Sequence, residues 1–442
     1  MRGERYVVLG LAHVRSSWFR ELARWSTTAV LPIEFLQCVS LEELRARLAS
    51  GRAFSALIID GGLAGLDRDL ADTARQSGCA VIVVDDGRVE RDWSALGASA
   101  LLLADFTRAQ LLDALTSCAT VIGRGDSVSV GEPAPAAGSG WRGRLITVTG
   151  PGGTGASTAA MALAQGLGAD VRHGGSVLLA DLALDADQAM LHDAGDVVPA
   201  LQELVDAHRS GVPTTQEIRS LTFAVPDRHY HLMLGLRRHR DWITIRRRAF
   251  EITLDSLRRS FKVVVADVSP DLEGEAECGS IDVEERNLLA RTSISQSDVV
   301  MLLGLPGPKG IHRLVRLIAT TVGFGVDASR ILPVVNRAPR NPRPRAELTA
   351  ALAHLTRPIT GAGAPVCAPV YLPERRRIDD LVRDGARLPS ALATTLAGAA
   401  SALLDRSPSD AAANGAAFPS IAEPVAVVPG SLGAWHDGAE DR

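Results

Sequence analysis

At 442 residues the chain is long enough for two or three domains, and 46% apolar with 22% charged residues is the composition of a globular protein with ample core-forming material. A net charge of −4 gives no overall attraction to nucleic acid or to an anionic membrane. Five scattered cysteines (Cys38, Cys79, Cys118, Cys278, Cys367) form no C-x-x-C pair, which argues against a zinc site or a disulfide framework and fits a reducing cytoplasm. The basic residues are arginines apart from Lys262 and Lys309.

The N-terminus, "MRGERYVVLGLAHVRSSW", has a strand-length apolar run broken by His13 and Arg15, and no small-residue cleavage site follows. It does not read as a signal peptide. No stretch approaches the 18–20 apolar residues of a membrane span. Residues 1–124 alternate apolar runs, "YVVLGL" (6–11), "ALIID" (56–60), "AVIVVDD" (80–86) and "ALLLAD" (100–105), with segments of helical periodicity such as "SLEELRARLAS". That alternation predicts a parallel sheet covered on both faces. Residues 125–141, "GDSVSVGEPAPAAGSGW", read as an interdomain linker.

This first stretch resembles a response-regulator receiver domain. Asp60 stands where that family carries its phosphoacceptor, and "GASALLLADF" (97–106) resembles a late family segment. The paired acids that would hold Mg²⁺ are missing, the lysine position is Ala104, and the hydroxyl position is Asp85. Phosphorylating an aspartate needs a cation held by carboxylates and a basic partner for the product. The resemblance therefore implies a flavodoxin-like pseudo-receiver used for docking or dimerisation, with Asp60 a strand-end turn residue.

Residues 142–405 carry a second α/β pattern, with strands expected at "LITVTG" (145–150), "SVLLAD" (176–181), "HLMLGL" (231–236), "KVVVADVS" (262–269), "DVVMLLGL" (298–305) and "ILPVVNR" (331–337). Their near-continuous apolar character predicts a doubly wound, mostly parallel sheet. Residues 406–442 are Ala/Pro/Gly-rich and aperiodic and read as a disordered tail.

The chemistry concentrates in "GRLITVTGPGGTGASTAAMALAQGL". Gly150, Gly152 and Gly155 fit the dinucleotide pattern G-x-G-x-x-G, and Asp181 stands where a ribose-binding acid would. The run from Gly150 to Ser157 also fits the P-loop G-x-x-x-x-G-K-[ST], with Ala156 at the lysine position. Either reading lets backbone N–H groups and a helix N-terminus face an anion. A tight turn without a ligand is the third reading of the loop taken alone.

Further segments in order along the chain break the tie. "GPGGTGAST" resembles the deviant Walker A loop of the MinD/ParA family, and "SVLLADLALDADQAML" its second strand and switch region. "FKVVVADVSP" resembles its Walker B strand, "VVNR" (334–337) its adenine-side strand, and "YLPERRRIDDLVRDGARLP" its closing loop and helix. The resemblance implies a P-loop NTPase-like fold binding ATP through Gly150, Gly152, Gly153, Thr154, Gly155, Ala156, Ser157, Thr158, Asn336 and Arg337. It implies Mg²⁺ at Ser157, Asp181 and Asp267, with Asp181 and Asp267 as weak catalytic candidates.

Both family lysines are replaced, by Pro151 and Ala156, and the second switch acid by Ala183, with Asp185 two residues further on. Phosphoryl transfer depends on neutralising developing charge, so hydrolysis should suffer most. One lost charge-assisted hydrogen bond is worth about 1.5–3 kcal/mol, a roughly 10- to 150-fold loss of affinity. ATP and Mg²⁺ are thus expected weakly or not at all.

A pseudo-receiver joined to a MinD-like domain resembles the CpaE/TadZ group, which implies a cytoplasmic, homodimeric scaffold that localises pilus, secretion or septum machinery at a pole or septum. One alternative is an active ATPase using a displaced cation such as Lys309. Another is a ParA-like partition factor, in which the arginine clusters at 236–248, 337–345 and 374–377 would hold DNA. The proline-broken C-terminal stretch offers no amphipathic membrane helix, so direct membrane insertion is not expected.

Overall fold

The computed structural model describes residues 5–13, 16–28, 31–63, 65–122, 141–195, 197–360 and 363–406. The expected linker, apart from Trp141, and the expected tail, apart from Arg406, lie outside the described residues. By its contacts the chain divides into two compact units, residues 1–138 with 206–212 and residues 139–205 with 213–442.

In the first unit, strands β1 (Tyr6–Leu11), β2 (Ile33–Gln37), β3 (Ala56–Asp60), β4 (Ala80–Asp85) and β5 (Ala100–Leu103) form one parallel sheet in the order β2-β1-β3-β4-β5. That order is one of the two common doubly wound arrangements. Strict alternation divides the side chains between two cores. Val7, Leu9, Leu57, Ile59, Val81 and Val83 enter one, and Val8, Ile58, Ile82 and Val84 the other. Helices α1 (Ser17–Thr27), α2 (Leu41–Leu48), α3 (Arg68–Gln76) and α4 (Arg108–Cys118) complete the unit. Ser40 and Asp67 cap α2 and α3 by accepting from the third backbone N–H, and Thr107 with Gln110 forms a capping box on α4. The edge strand β2 was not foreseen, because its only buried residue is Ile33.

The second unit is built on an eight-stranded sheet. Its strands are β6 (Arg144–Thr149), β7 (Val177–Leu182), β8 (Phe223–Val225), β9 (Tyr230–Met233), β10 (Val263–Val268), β11 (Val299–Gly304), β12 (Ile331–Ala338) and β13 (Val370–Pro373). The order is β13-β12-β11-β6-β10-β7-β9-β8, parallel throughout except for β8. The run at 231–236 is strand only as far as Met233, and the closing loop contains the short strand β13. Alternation again fills two faces: Ile146, Val148, Val177, Leu179, Val263 and Val265 line one, and Leu145, Leu178, Ala180, Val264 and Ala266 the other.

Helix α5 (Ala156–Gly168) packs on the first of these faces beside the helix Ser390–Leu404. A Cβ at Gly166 would lie 2.3 Å from the carbonyl oxygen of Ala393, so the two backbones meet where only hydrogen fits. The opposite face is covered by Arg247–Ser260, Leu288–Gln296 and Pro308–Gly323.

Candidate functional site

Strand β6 lies between β10 and β11, and later strands continue outward from it in both directions. Ligands of open α/β sheets bind outside the carboxyl ends of the strands at such a reversal. The segment that leaves β6 there is Gly150–Gly155. Gly153 and Gly155 have φ of +80° and +83°, a region costly for any residue with a Cβ, and Gly155 is the N-cap of α5. Thr154 is buried and closes the loop, its backbone N–H and its Oγ1 both donating to Pro151 O at 3.1 and 2.7 Å. Gly152 and Gly153 face open space. The first turn of α5 leaves its N–H groups without helical acceptors, so loop and helix together present donors to an anion.

The two carboxylates come from neighbouring strands. Asp181 in β7 pairs in register with Asp267 in β10. By period-2 alternation both follow Leu179 and Val265 onto the face covered by α5. Asp181 is 0% and Asp267 2% exposed. Asp181 Oδ1 accepts from Ala183 N (3.3 Å) and Oδ2 from Gln188 N (2.9 Å). Asp267 accepts from the Ser157 hydroxyl and, at 2.7 Å, from Gln188 Nε2. Burial raises both carboxyls, Asp181 well above the ordinary carboxylate range with the Asp267 charge adding to it, and Asp267 to about 6. No lysine or arginine pairs with either among the described residues.

Gln188 is the residue that the sequence reading missed. It opens the one-turn helix α6 (Gln188–Leu191) and is fully buried. Besides Asp267, its Nε2 donates to Ser157 O at 3.1 Å, while Oε1 is buried without a partner. Two acceptors on one side of the amide fix which end carries the N–H₂. Its only sequence signal is its place after the acidic stretch "LDAD" in the switch-like segment, which no motif marks. Behind it, Gln188 O meets His192 Nδ1 at 2.8 Å, and His192 Nε2 meets the Tyr230 hydroxyl at 2.6 Å. The carbonyl can only accept, so Nδ1 carries the proton and Nε2 accepts from Tyr230. Burial lowers His192 to about 3 and keeps it neutral.

The remaining expected residues separate into those that join this site and those that do not. Pro151, Ala156 and Thr158 lie in the loop and the first turn of α5, and Ala183 contributes a backbone N–H only. Asn336 holds the loop: its Nδ2 donates to Thr154 O at 2.8 Å and its Oδ1 accepts from Arg337 N. Asp185 is exposed and meets His239 Nδ1 at 3.0 Å. Lys309 is exposed in the first turn of Pro308–Gly323, after β11, and makes no ion pair among the described residues. Many clustered arginines are engaged locally. Arg237 pairs with Glu203, Arg247 with Glu284 (2.7 Å), Arg343 with Glu347 (3.3 Å) and Arg377 with Asp380 (3.4 Å), and Arg345 stacks over Tyr371.

These donors suit a hard divalent cation with a phosphate beside it. Ser157 and two carboxylates supply oxygen, and buried carboxylates served only by neutral donors lack compensating positive charge. No group of three His, Cys, Asp or Glu residues forms a metal site among the described residues. Water or ligand oxygens would complete the coordination, as is usual for Mg²⁺ at phosphate sites.

In the first unit Asp60 is 4% exposed and ends β3, accepting from Ser16 Oγ at 2.5 Å and Gly62 N at 3.2 Å. Asp85 ends the adjacent β4, where it accepts from Gly87 N at 2.9 Å, and Ala104 follows β5. No helix among the described residues is long and apolar enough to cross a membrane.

No protein-family model matches the chain, and no curated protein matches its sequence. Solved structures similar to it include a ParA family ATPase from Chlorobium tepidum, with 14% identity, 61% of this chain, 98% of that one and a TM-score of 0.43. They also include the cell division ATPase MinD of Pyrococcus furiosus, with 18% identity, 60% and 99% coverage and a TM-score of 0.43. A third is a plasmid partition protein of Borrelia burgdorferi bound to AMPPNP, with 15% identity, 60% and 100% coverage and a TM-score of 0.43.

Proposed function

We propose that the chain is a MinD/ParA-like protein of the CpaE/TadZ type, a cytoplasmic homodimeric scaffold that positions pilus, secretion or division machinery and retains a phosphate cradle with little or no hydrolysis. The observation that carries this reading is the pairing of an open Gly150–Gly155 loop with buried Asp181 and Asp267, in a site without lysine. When bound, ATP–Mg²⁺ would supply a triphosphate and a Lewis-acidic cation. The loop N–H groups would hold the phosphates, and Ser157 with Asp267 the cation. Asp181 would act as a further anion fixed by two backbone N–H groups. The γ-phosphate would lack the cationic neutralisation that lowers its transfer barrier.

In this reading the first unit is the pseudo-receiver through which partners dock, and Asp60 is a turn residue rather than a phosphosite. The hydrogen bond it accepts from Gly62 N, two residues on, supports that role. The engagement of many clustered arginines with acids of the same surface favours a scaffold over a DNA-holding partition factor. The second reading, a working ATPase with a displaced cation, rests on Lys309, which follows the strand next to β6 and is free of ion pairs among the described residues.

Calorimetric titration of the full chain with ATP–Mg²⁺, ADP and NAD separates the readings. Micromolar or weaker adenine-nucleotide binding is expected, insensitive to Lys309→Ala. Selective NAD binding contradicts the family assignment, and a loss of affinity of 10-fold or more in Lys309→Ala favours the displaced cation.

A further inference from the structure

We propose that the Gln188 carboxamide is a plug in the cation site: its Nε2 holds Asp267 Oδ2, the carboxylate oxygen that a divalent ion would take, so that cation binding and the packed position of Gln188 exclude one another. The proposal rests on the Ser157–Asp267 cation site described above and assigns it a form of regulation. Nε2 donates at once to Asp267 Oδ2 (2.7 Å) and to the backbone carbonyl of Ser157 (3.1 Å), so a neutral amide holds the carboxylate oxygen that a cation would take, while the Ser157 hydroxyl itself donates to Asp267. Gln188 is fully buried, and its Oε1 lies without a partner in the same pocket of polar groups. A fully buried amide satisfied on one end only is costly to keep. Rotating or withdrawing it would turn an orphaned acceptor towards an incoming cation or remove it altogether.

The plug is held from several directions. Its own backbone N–H donates to Asp181 Oδ2 at 2.9 Å, and its carbonyl is held by His192, which leans on Tyr230. The segment leading in and out carries two non-glycine residues with positive φ, Ala186 (+48°) and Asp193 (+50°). Such backbone is disfavoured for residues with a Cβ and persists only where the surroundings impose it. Cation entry would release residues 186–193 together, converting occupancy of the site into a change of surface next to the phosphate loop.

Binding of Mn²⁺ alone to the full chain, followed by the electron paramagnetic resonance of the free ion, tests the plug without any nucleotide. Gln188→Ala should bind Mn²⁺ at least 10-fold more tightly than the wild-type chain, and Asp267→Asn added to it should abolish the gain. Gln188→Asn, one methylene shorter, should shift affinity in the same direction and serves if the alanine variant does not fold. Unchanged Mn²⁺ affinity in a folded Gln188 variant overturns the plug. ATP–Mg²⁺ titrations of the same variants keep the two readings apart. Tighter Mn²⁺ binding with no nucleotide binding supports the plug and removes the nucleotide reading. Nucleotide binding with unchanged Mn²⁺ affinity does the reverse.

Discussion

Asp267 carries the clearest energetic signature of the site at the scale of single residues. Its carboxyl is raised from 3.8 to about 6, first by burial, against the hydrogen bonds from Gln188 and Ser157. The folded state therefore holds this proton more tightly than the unfolded chain does. The stabilisation is complete below about pH 4 and is lost as pH rises through about 6. Burial pushes His192 and His231 down to about 3 and 4, which acts in the opposite direction, since the unfolded chain binds those protons first as pH falls. The informative quantity is the difference between variants. Asp267→Asn should be more stable than the wild-type chain at pH 7 by on the order of 2 kcal/mol, with the gap closing towards pH 4, in denaturant melts without divalent cation. The glycines, Ser157 and both acids were legible as residues because motif spacing marks them. Gln188 was not, because its role comes from a fold-back of the chain that no spacing encodes. The hold of Asn336 on Thr154 O was hidden for the same reason: the two residues are far apart in sequence and meet only where β12 runs beside the Gly150–Gly155 loop.

The strands buried on both faces were the easiest elements to read, because β1, β3, β6, β7 and β10 to β12 are largely apolar runs. Short edge strands escaped. β2 has one buried residue, and the three residues of β8 are too few to display a period. The packing of α5 on the helix Ser390–Leu404 was also invisible, since it depends on two backbones meeting at Gly166. Gly166→Val should place its branch against the Ala393 carbonyl and cost about 1–3 kcal/mol or more. Thermal melting checks this, with a fall of several degrees expected and an unchanged midpoint inconsistent with the close approach. The loop Gly150–Gly155 is tied to β12 by Asn336 through Thr154 O and closed on itself by Thr154.

At the scale of the whole molecule, each unit is a doubly wound sheet whose strands end in acids. Asp60 and Asp85 end β3 and β4 of the first sheet, and Asp181 and Asp267 lie near the ends of β7 and β10 of the second. The second sheet sets its acids beside the Gly150–Gly155 loop and the N-terminus of α5, and the nucleotide proposal rests on that arrangement. Its charges account for the proposed lack of turnover, because Pro151, Ala156 and Ala183 leave the far phosphate without a basic or acidic side chain of its own. Ala156→Lys restores one charge-assisted contact and should tighten ATP binding by roughly 10-fold or more. The measurement that bears most directly on a cradle without turnover is phosphate release by the full wild-type chain at saturating ATP–Mg²⁺. The expected result is a rate no higher than that of ATP–Mg²⁺ alone, and sustained multiple turnover would contradict it.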